Sequence, residues 1–170
     1  MNIAVLEGSP NKHGSSNLLA EHFIRGAREA GHSVEAIDAA HAGLRPCARC
    51  GYEGPCAQKD DMEIFRREIP AADMLVSVTP LYYYGIPAQL KPLADRFCAI
   101  NSSTARRHMK PVPIAAWNAD GWTSDAPAAH CQRWCDGQGM LLGAGHGTMA
   151  SRGKYLDKAY RPGRGPWAGT

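Results

Sequence analysis

A short apolar strand that runs into a polar, glycine-containing loop and then a helix constrains this chain more than any other feature. Asn2-Ile3-Ala4-Val5-Leu6 is apolar and partly β-branched, the composition of a strand. Gly8-Ser9-Pro10-Asn11-Lys12-His13-Gly14-Ser15-Ser16-Asn17 follows, and Leu18, Leu19, Phe23, Ala27 and Ala30 then recur at helical spacing up to Gly31. A strand, a tight turn and a helix N-terminus together make an anion site. The first-turn N–H groups have no intrahelical acceptors, and the positive end of the helix dipole lies beside them. Ser9, Asn11, Ser15, Ser16 and Asn17 add side-chain hydrogen bonds. The loop suits a phosphate. Turn and cap chemistry alone also favours Gly and Ser, so the loop by itself fixes no ligand.

The kind of phosphate narrows by elimination. A nucleoside-triphosphate loop needs G-x-x-x-x-G-K-[ST], and the stretch from Gly8 to Gly14 does not continue into Lys-Ser. The dinucleotide pattern G-x-G-x-x-G is also absent. What remains is a terminal monophosphate bound without a magnesium ligand.

The 170 residues are read as one domain over residues 1–150, with a basic, Gly- and Pro-containing tail over 151–170 that is expected to be largely unstructured. Lys plus Arg at 19 against Asp plus Glu at 16 leaves a formal +3, and the surplus is too dispersed for a nucleic-acid surface. No apolar run approaches the roughly 20 residues that span a bilayer. The first residues enter a strand at once, without a basic-plus-apolar leader, and a cytoplasmic protein is the expectation. There the six cysteines, Cys47, Cys50, Cys56, Cys98, Cys131 and Cys135, are expected as thiols or ligands rather than structural disulfides.

Strand-like and helix-like runs alternate along the chain. Ser33–Asp38, Met74–Val78, Val112–Trp117 and Met140–Ala144 read as four further strands. Asp60 and Glu63 form a capping-box-like start to a helix that Pro70 stops. Pro87 opens another helix, in which Pro92 predicts a kink. Ala128, Cys131 and Cys135 mark a third, closing at Gly137. Five strands joined by helices imply a parallel sheet covered on both faces.

In such sheets ligands sit beyond the carboxyl ends of the strands. Three loops converge there: Ser9 to Asn17, Thr79-Pro80-Leu81-Tyr82-Tyr83-Tyr84-Gly85, and Asn118-Ala119-Asp120-Gly121-Trp122. They offer a phosphate cradle, an aromatic wall and a polar loop. A flat, partly apolar ring with a phosphate tail satisfies all three, which describes FMN.

Gly8-Ser9-Pro10 with Gly14 and Ser16-Asn17, Pro46-Cys47-x-x-Cys50, Asp60-Asp61-Met62, the Thr79–Gly85 loop, Ala88-Gln89-Leu90-Lys91 and Asp95-Arg96 are similar to the NAD(P)H-dependent FMN reductase family of flavodoxin-like proteins. The likeness covers roughly Met1 to Gly147. It implies an α/β, flavodoxin-like three-layer sandwich whose five-stranded parallel sheet has 2-1-3-4-5 order, FMN at the switch point, NAD(P)H as co-substrate and a homodimer or higher homo-oligomer. Ser9, Asn11, Ser16 and Asn17 match phosphate-loop positions, with Leu18 supplying a backbone N–H. Pro80, Leu81, Tyr82, Tyr83, Tyr84 and Gly85 match the loop against the flavin ring and ribityl chain, and Trp117 and Asn118 the third flavin loop.

Cys47-x2-Cys50-x5-Cys56 resembles the compact cysteine motif of the iron–sulfur flavoproteins, with Glu53 where that motif carries a further cysteine. Four thiolates are the normal complement of such a cluster, so no metal is expected. The resulting expectation is an FMN oxidoreductase passing hydride from NAD(P)H to a small acceptor such as a quinone, flavin, azo or nitro compound. No side chain is assigned as catalytic acid or base, because the flavin carries the chemistry. The alternatives are a flavodoxin-type electron carrier, which the formal +3 disfavours, and an electron-transfer protein like the iron–sulfur flavoproteins.

Overall fold

Alternating apolar residues along β1 (Asn2–Glu7) feed two separate cores, one on each face of a parallel sheet. A computed structural model describes residues 1–50, 56–83, 85–100, 110–117, 141–144 and 153–164. Ile3 and Val5 point to one face with Met74, Val76 and Val78 of β3 (Met74–Pro80), while Ala4, Leu6 and Leu75 point to the other. β3 is apolar and buried on both faces, as a central parallel strand must be.

The first face is covered by α1 (Ser15–Glu29), whose Leu19, Ala20, Phe23, Ile24 and Ala27 form its buried stripe. The second is covered by α2 (Met62–Ala71) through Met62, Phe65 and Ile69, joined by Leu90, Leu93 and Ile100 from α3 (Lys91–Asp95) and its flanks. The parallel three-layer arrangement expected from the alternation is therefore present.

β2 (Ser33–Asp38) pairs with β1, β1 with β3, and β3 with β4 (Lys110–Trp117). β5 (Leu141–Ala144) lies along Ile114–Trp117, giving the order β2-β1-β3-β4-β5. The chain leaves β1 towards β2 and then returns to the opposite side for β3. The switch point thus lies between the carboxyl ends of β1 and β3.

Three expectations are corrected. Within the segment after residue 150, residues 153–164 are not unstructured: α4 (Gly153–Arg164) packs Tyr155, Leu156 and Ala159 against the α1 core. Pro92 makes no kink, because α3 begins a turn later than expected and places Pro92 in its first turn, where a missing N–H costs nothing. Pro70 does not stop α2 ahead of itself; it occupies the last turn, and the helix ends at Ala71. The expected helix over 128–137, Tyr84, the Asn118–Trp122 loop, Glu53, Cys131 and Cys135 lie outside the described residues.

Candidate functional site

Gly8 carries the chain off β1 and keeps it close to β3, its N–H donating to the Val78 carbonyl at 2.7 Å. A Cβ here would lie 2.9 Å from Leu90 Cδ2 and 3.0 Å from the Val78 oxygen. Glycine lets the loop cross here without displacing the Leu90 side chain or the Val78 carbonyl.

The loop then folds on itself. Ser9 Oγ is buried and bridges the Asn11 N–H and carbonyl, at 3.3 Å each, while Asn11 Oδ1 accepts the His13 N–H at 3.1 Å. The Gly14 N–H donates to the Asn11 carbonyl at 2.9 Å, completing a tight turn into α1. The Leu18 N–H, expected to serve a ligand, donates instead to the Gly14 carbonyl at 3.1 Å and starts the helix ladder. The N–H groups left without intrahelical acceptors are those of Ser15, Ser16 and Asn17.

No acidic residue occupies the first turn of α1, and no side chain caps it. Ser16 and Asn17 are buried there, and Asn17 Oδ1 has no hydrogen-bond partner. A buried amide atom without a protein partner costs roughly 1–3 kcal/mol unless a ligand or a water meets it. Just upstream, Glu7 has its carboxyl pushed up, first by burial and then by Asp38 and Glu21.

The second loop leaves the carboxyl end of β3 beside the first. Thr79 is buried and its hydroxyl donates to the Pro80 carbonyl at 2.9 Å. Thr79 and Pro80 belong to the strand itself, and Leu81 follows, partly buried. Tyr82 and Gly85 exchange backbone hydrogen bonds at 3.0 and 3.2 Å, closing a two-residue turn. At its tip Tyr83 sits at φ 47°, and its side chain is 96% exposed. A non-glycine residue in this left-handed region costs roughly 1–2 kcal/mol. Tyr82 is half exposed next to it.

Trp117 ends β4 at the same edge, opposite Ala144 of β5. The structure therefore brings Ser9, Asn11, Ser16 and Asn17 together with Pro80, Leu81, Tyr82, Tyr83 and Gly85 at one sheet edge, with the Trp117 backbone alongside. Tyr84 and Asn118 fall outside the described residues.

The sequence reading gave no role to Arg96, yet among the described residues it is the largest fully buried side chain. Its Nη1 and Nη2 meet the two Asp60 carboxylate oxygens at 2.6 and 2.9 Å. Nη1 also donates to the Arg45 carbonyl at 3.2 Å, and Nη2 to Cys56 Sγ at 3.2 Å. Asp60 further accepts the Arg45 and Met62 N–H groups. The Arg96 guanidinium, with those two N–H groups, holds the Asp60 carboxyl down at about 2. The capping box does not form: the N-cap is Asp61, Asp60 accepts the Met62 N–H from one residue upstream, and Glu63 turns to Arg66 at 3.1 Å. The signal available in sequence was a cation beside the apolar stripe of Leu93, Ala94 and Phe97.

This clamp sets the cysteine loop. Cys56 is partly buried, and its Sγ lies 3.8 Å from that of the exposed Cys50. The Gln58 N–H, the Arg96 guanidinium and the Cys50 thiol lower the Cys56 thiol below its ordinary value, against the opposing effect of burial. Cys98 goes the other way, pushed up by burial and by its neighbours Cys47 and Cys50.

The model of the NADPH-dependent FMN reductase family matches residues 1–151. An iron-sulfur flavoprotein of Methanocaldococcus jannaschii is 33% identical over 99 residues, covering 56% of this chain and 51% of the relative. One from Archaeoglobus fulgidus is 29% identical over 92 residues, covering 52% and 42%. The chain thus spans about half the length of these curated relatives.

Among solved structures, an NAD(P)H:quinone oxidoreductase from Methanothermobacter marburgensis superposes with a TM-score of 0.74 at 22% identity, covering 96% of both chains. An FMN-dependent NADH-azoreductase from Bacillus anthracis, in complex with FMN, does so with 0.68 at 14% identity, again over 96% of both. These two show the flavodoxin-like fold. With the family model covering nearly the whole described chain, this protein belongs to the NADPH-dependent FMN reductase family.

Proposed function

We propose that this chain is an FMN oxidoreductase that takes hydride from NAD(P)H and delivers electrons to a small acceptor such as a quinone, flavin, azo or nitro compound. The observation that carries the reading is the buried Asn17 amide, left with an unpartnered atom in an acid-free helix N-terminus. Turned end for end, that amide presents an N–H to a phosphate oxygen. Ser9 and Ser16 add hydroxyls, and the first-turn N–H groups of α1 add three donors. The residues present fit the phosphate end of FMN, and the exposed Tyr82–Tyr83 turn fits a flat ring.

When bound, FMN supplies the two-electron hydride chemistry. The chain's own part is placement. Ser9, Asn11, Ser16 and Asn17 hold the phosphate, and Pro80, Leu81 and Gly85 line the path of the ribityl chain. Backbone N–H groups at the strand ends steady negative charge on the ring. Tyr83, held outwards at the turn tip, offers a stacking face to nicotinamide or acceptor. The working form is proposed as a cytoplasmic homodimer or higher homo-oligomer. No helix among the described residues is long and apolar enough to cross a membrane.

The names of the curated relatives raise a cluster at the cysteine loop. The residues do not fit it as they stand: Glu53 stands where the motif carries a further thiolate, and Arg96 Nη2 already donates to Cys56 Sγ. The test of the reading is flavin titration of the protein followed by NADPH or NADH under argon. Saturable one-to-one binding and bleaching of the bound flavin are expected. Failure to retain FMN sinks the proposal.

A further inference from the structure

The cysteine loop is the part of the molecule that the flavin reading leaves unused. We propose that Cys50 and Cys56 are a reversible dithiol–disulfide pair, in which Cys56 is the sulfur that a hydroperoxide oxidises first and Cys50 is the resolving thiol. The inference does not depend on the cofactor reading.

Geometry carries it. The two sulfurs lie 3.8 Å apart, close enough for side-chain rotation to begin bond formation. Arg96 Nη2 donates to Cys56 Sγ at 3.2 Å, and that guanidinium cannot swing away because Asp60 grips it with two oxygens. A fixed cation against a sulfur favours thiolate, the form that attacks peroxides. Cys56 is only partly buried, which leaves it open to a small hydroperoxide, and the exposed Cys50 gives a reducing thiol access to the bridge. Cys98 donates instead to the Asp95 carbonyl at 3.6 Å and faces no such cation in the bonds described.

The steps balance. The Cys56 thiolate attacks one peroxide oxygen, the O–O bond breaks, and the departing alkoxide takes a proton to leave as an alcohol, or as water from hydrogen peroxide. Cys56 is then a sulfenic acid. The Cys50 sulfur, giving up its proton, attacks Cys56 Sγ; the S–O bond breaks and hydroxide leaves as water with that proton. Two thiols lose two electrons to one hydroperoxide.

The experiment uses the full chain, reduced, desalted under argon and treated with one equivalent of hydrogen peroxide at pH 7. Of six thiols counted after denaturation, two should disappear, with peptide mapping linking Cys50 to Cys56 and dithiothreitol restoring both. Cys50→Ser should form no link and should trap a 1,3-dione adduct on Cys56. Cys56→Ser, whose hydroxyl can still accept from Arg96, should consume peroxide at least about tenfold more slowly. A link between other cysteines, wild-type peroxide consumption by Cys56→Ser, or stoichiometric iron or zinc held by these thiols in the purified protein would overturn the proposal.

Discussion

Tyr83 combines two costs that a folding argument alone does not explain. Its backbone sits at φ 47°, and its ring is 96% exposed. If the ring faces the reacting partners, Tyr83→Gly should raise the unfolding free energy or leave it within about 1 kcal/mol, since glycine occupies this region freely. Turnover with NAD(P)H should nevertheless fall. Urea melts and steady-state kinetics on the same preparation separate the two effects, and unchanged kcat/KM would remove Tyr83 from the site. Asn17 is the complementary case. Asn17→Ala removes a buried polar atom that has no partner in the protein, so the flavin-free form should lose little stability. FMN binding should weaken by roughly 10- to 100-fold, the worth of one hydrogen bond to a charged group. Equal FMN affinity in a fluorescence titration would contradict the phosphate assignment.

Between elements, two contacts decide how the layers hold. α4 lies on α1 at glycine distance: a Cβ on Gly26 would fall 2.3 Å from the Tyr160 carbonyl oxygen. Gly26→Ala should cost about 1–3 kcal/mol, read from urea denaturation, because backbone must move to admit the methyl. A neutral result would mean that α4 does not rest there. The Asp60–Arg96 pair ties the segment before α2 to the end of α3. Asp60→Asn leaves a buried cation half-paired and should cost about 3–5 kcal/mol. The pH dependence has a definite sign. Asp60 has its folded value depressed to about 2 from 3.8, so its contribution is full above about pH 4 and fades as pH falls towards 2. The wild-type acid-unfolding limb should be shallower in Asp60→Asn over that window.

Across the whole molecule, the strongly periodic pieces were legible. The apolar run of β3 and the stripe of α1 announce a parallel α/β sheet, and the Gly8–Asn17 stretch announces the tight turn into α1 at its edge. α4 was hidden because Gly153, Pro162, Gly163 and its cations mask a stripe of Tyr155, Leu156 and Ala159 that was there to be read. Pro92 misled because one turn's shift in the start of α3 changes a kink into a first-turn residue. The local sequence offered only a cation beside an apolar stripe for Arg96; its partner Asp60 lies 36 residues away, and only the folded chain brings them together. The proposed flavin site lies at the sheet edge where the β1 and β3 loops meet. The visible absorption spectrum tests that most directly, recorded on the purified protein, then with FMN, then with NAD(P)H under argon. Two flavin bands that stay with the protein through desalting and bleach on adding the nicotinamide are the predicted result. A colourless protein that lets added FMN pass through the column would contradict the account.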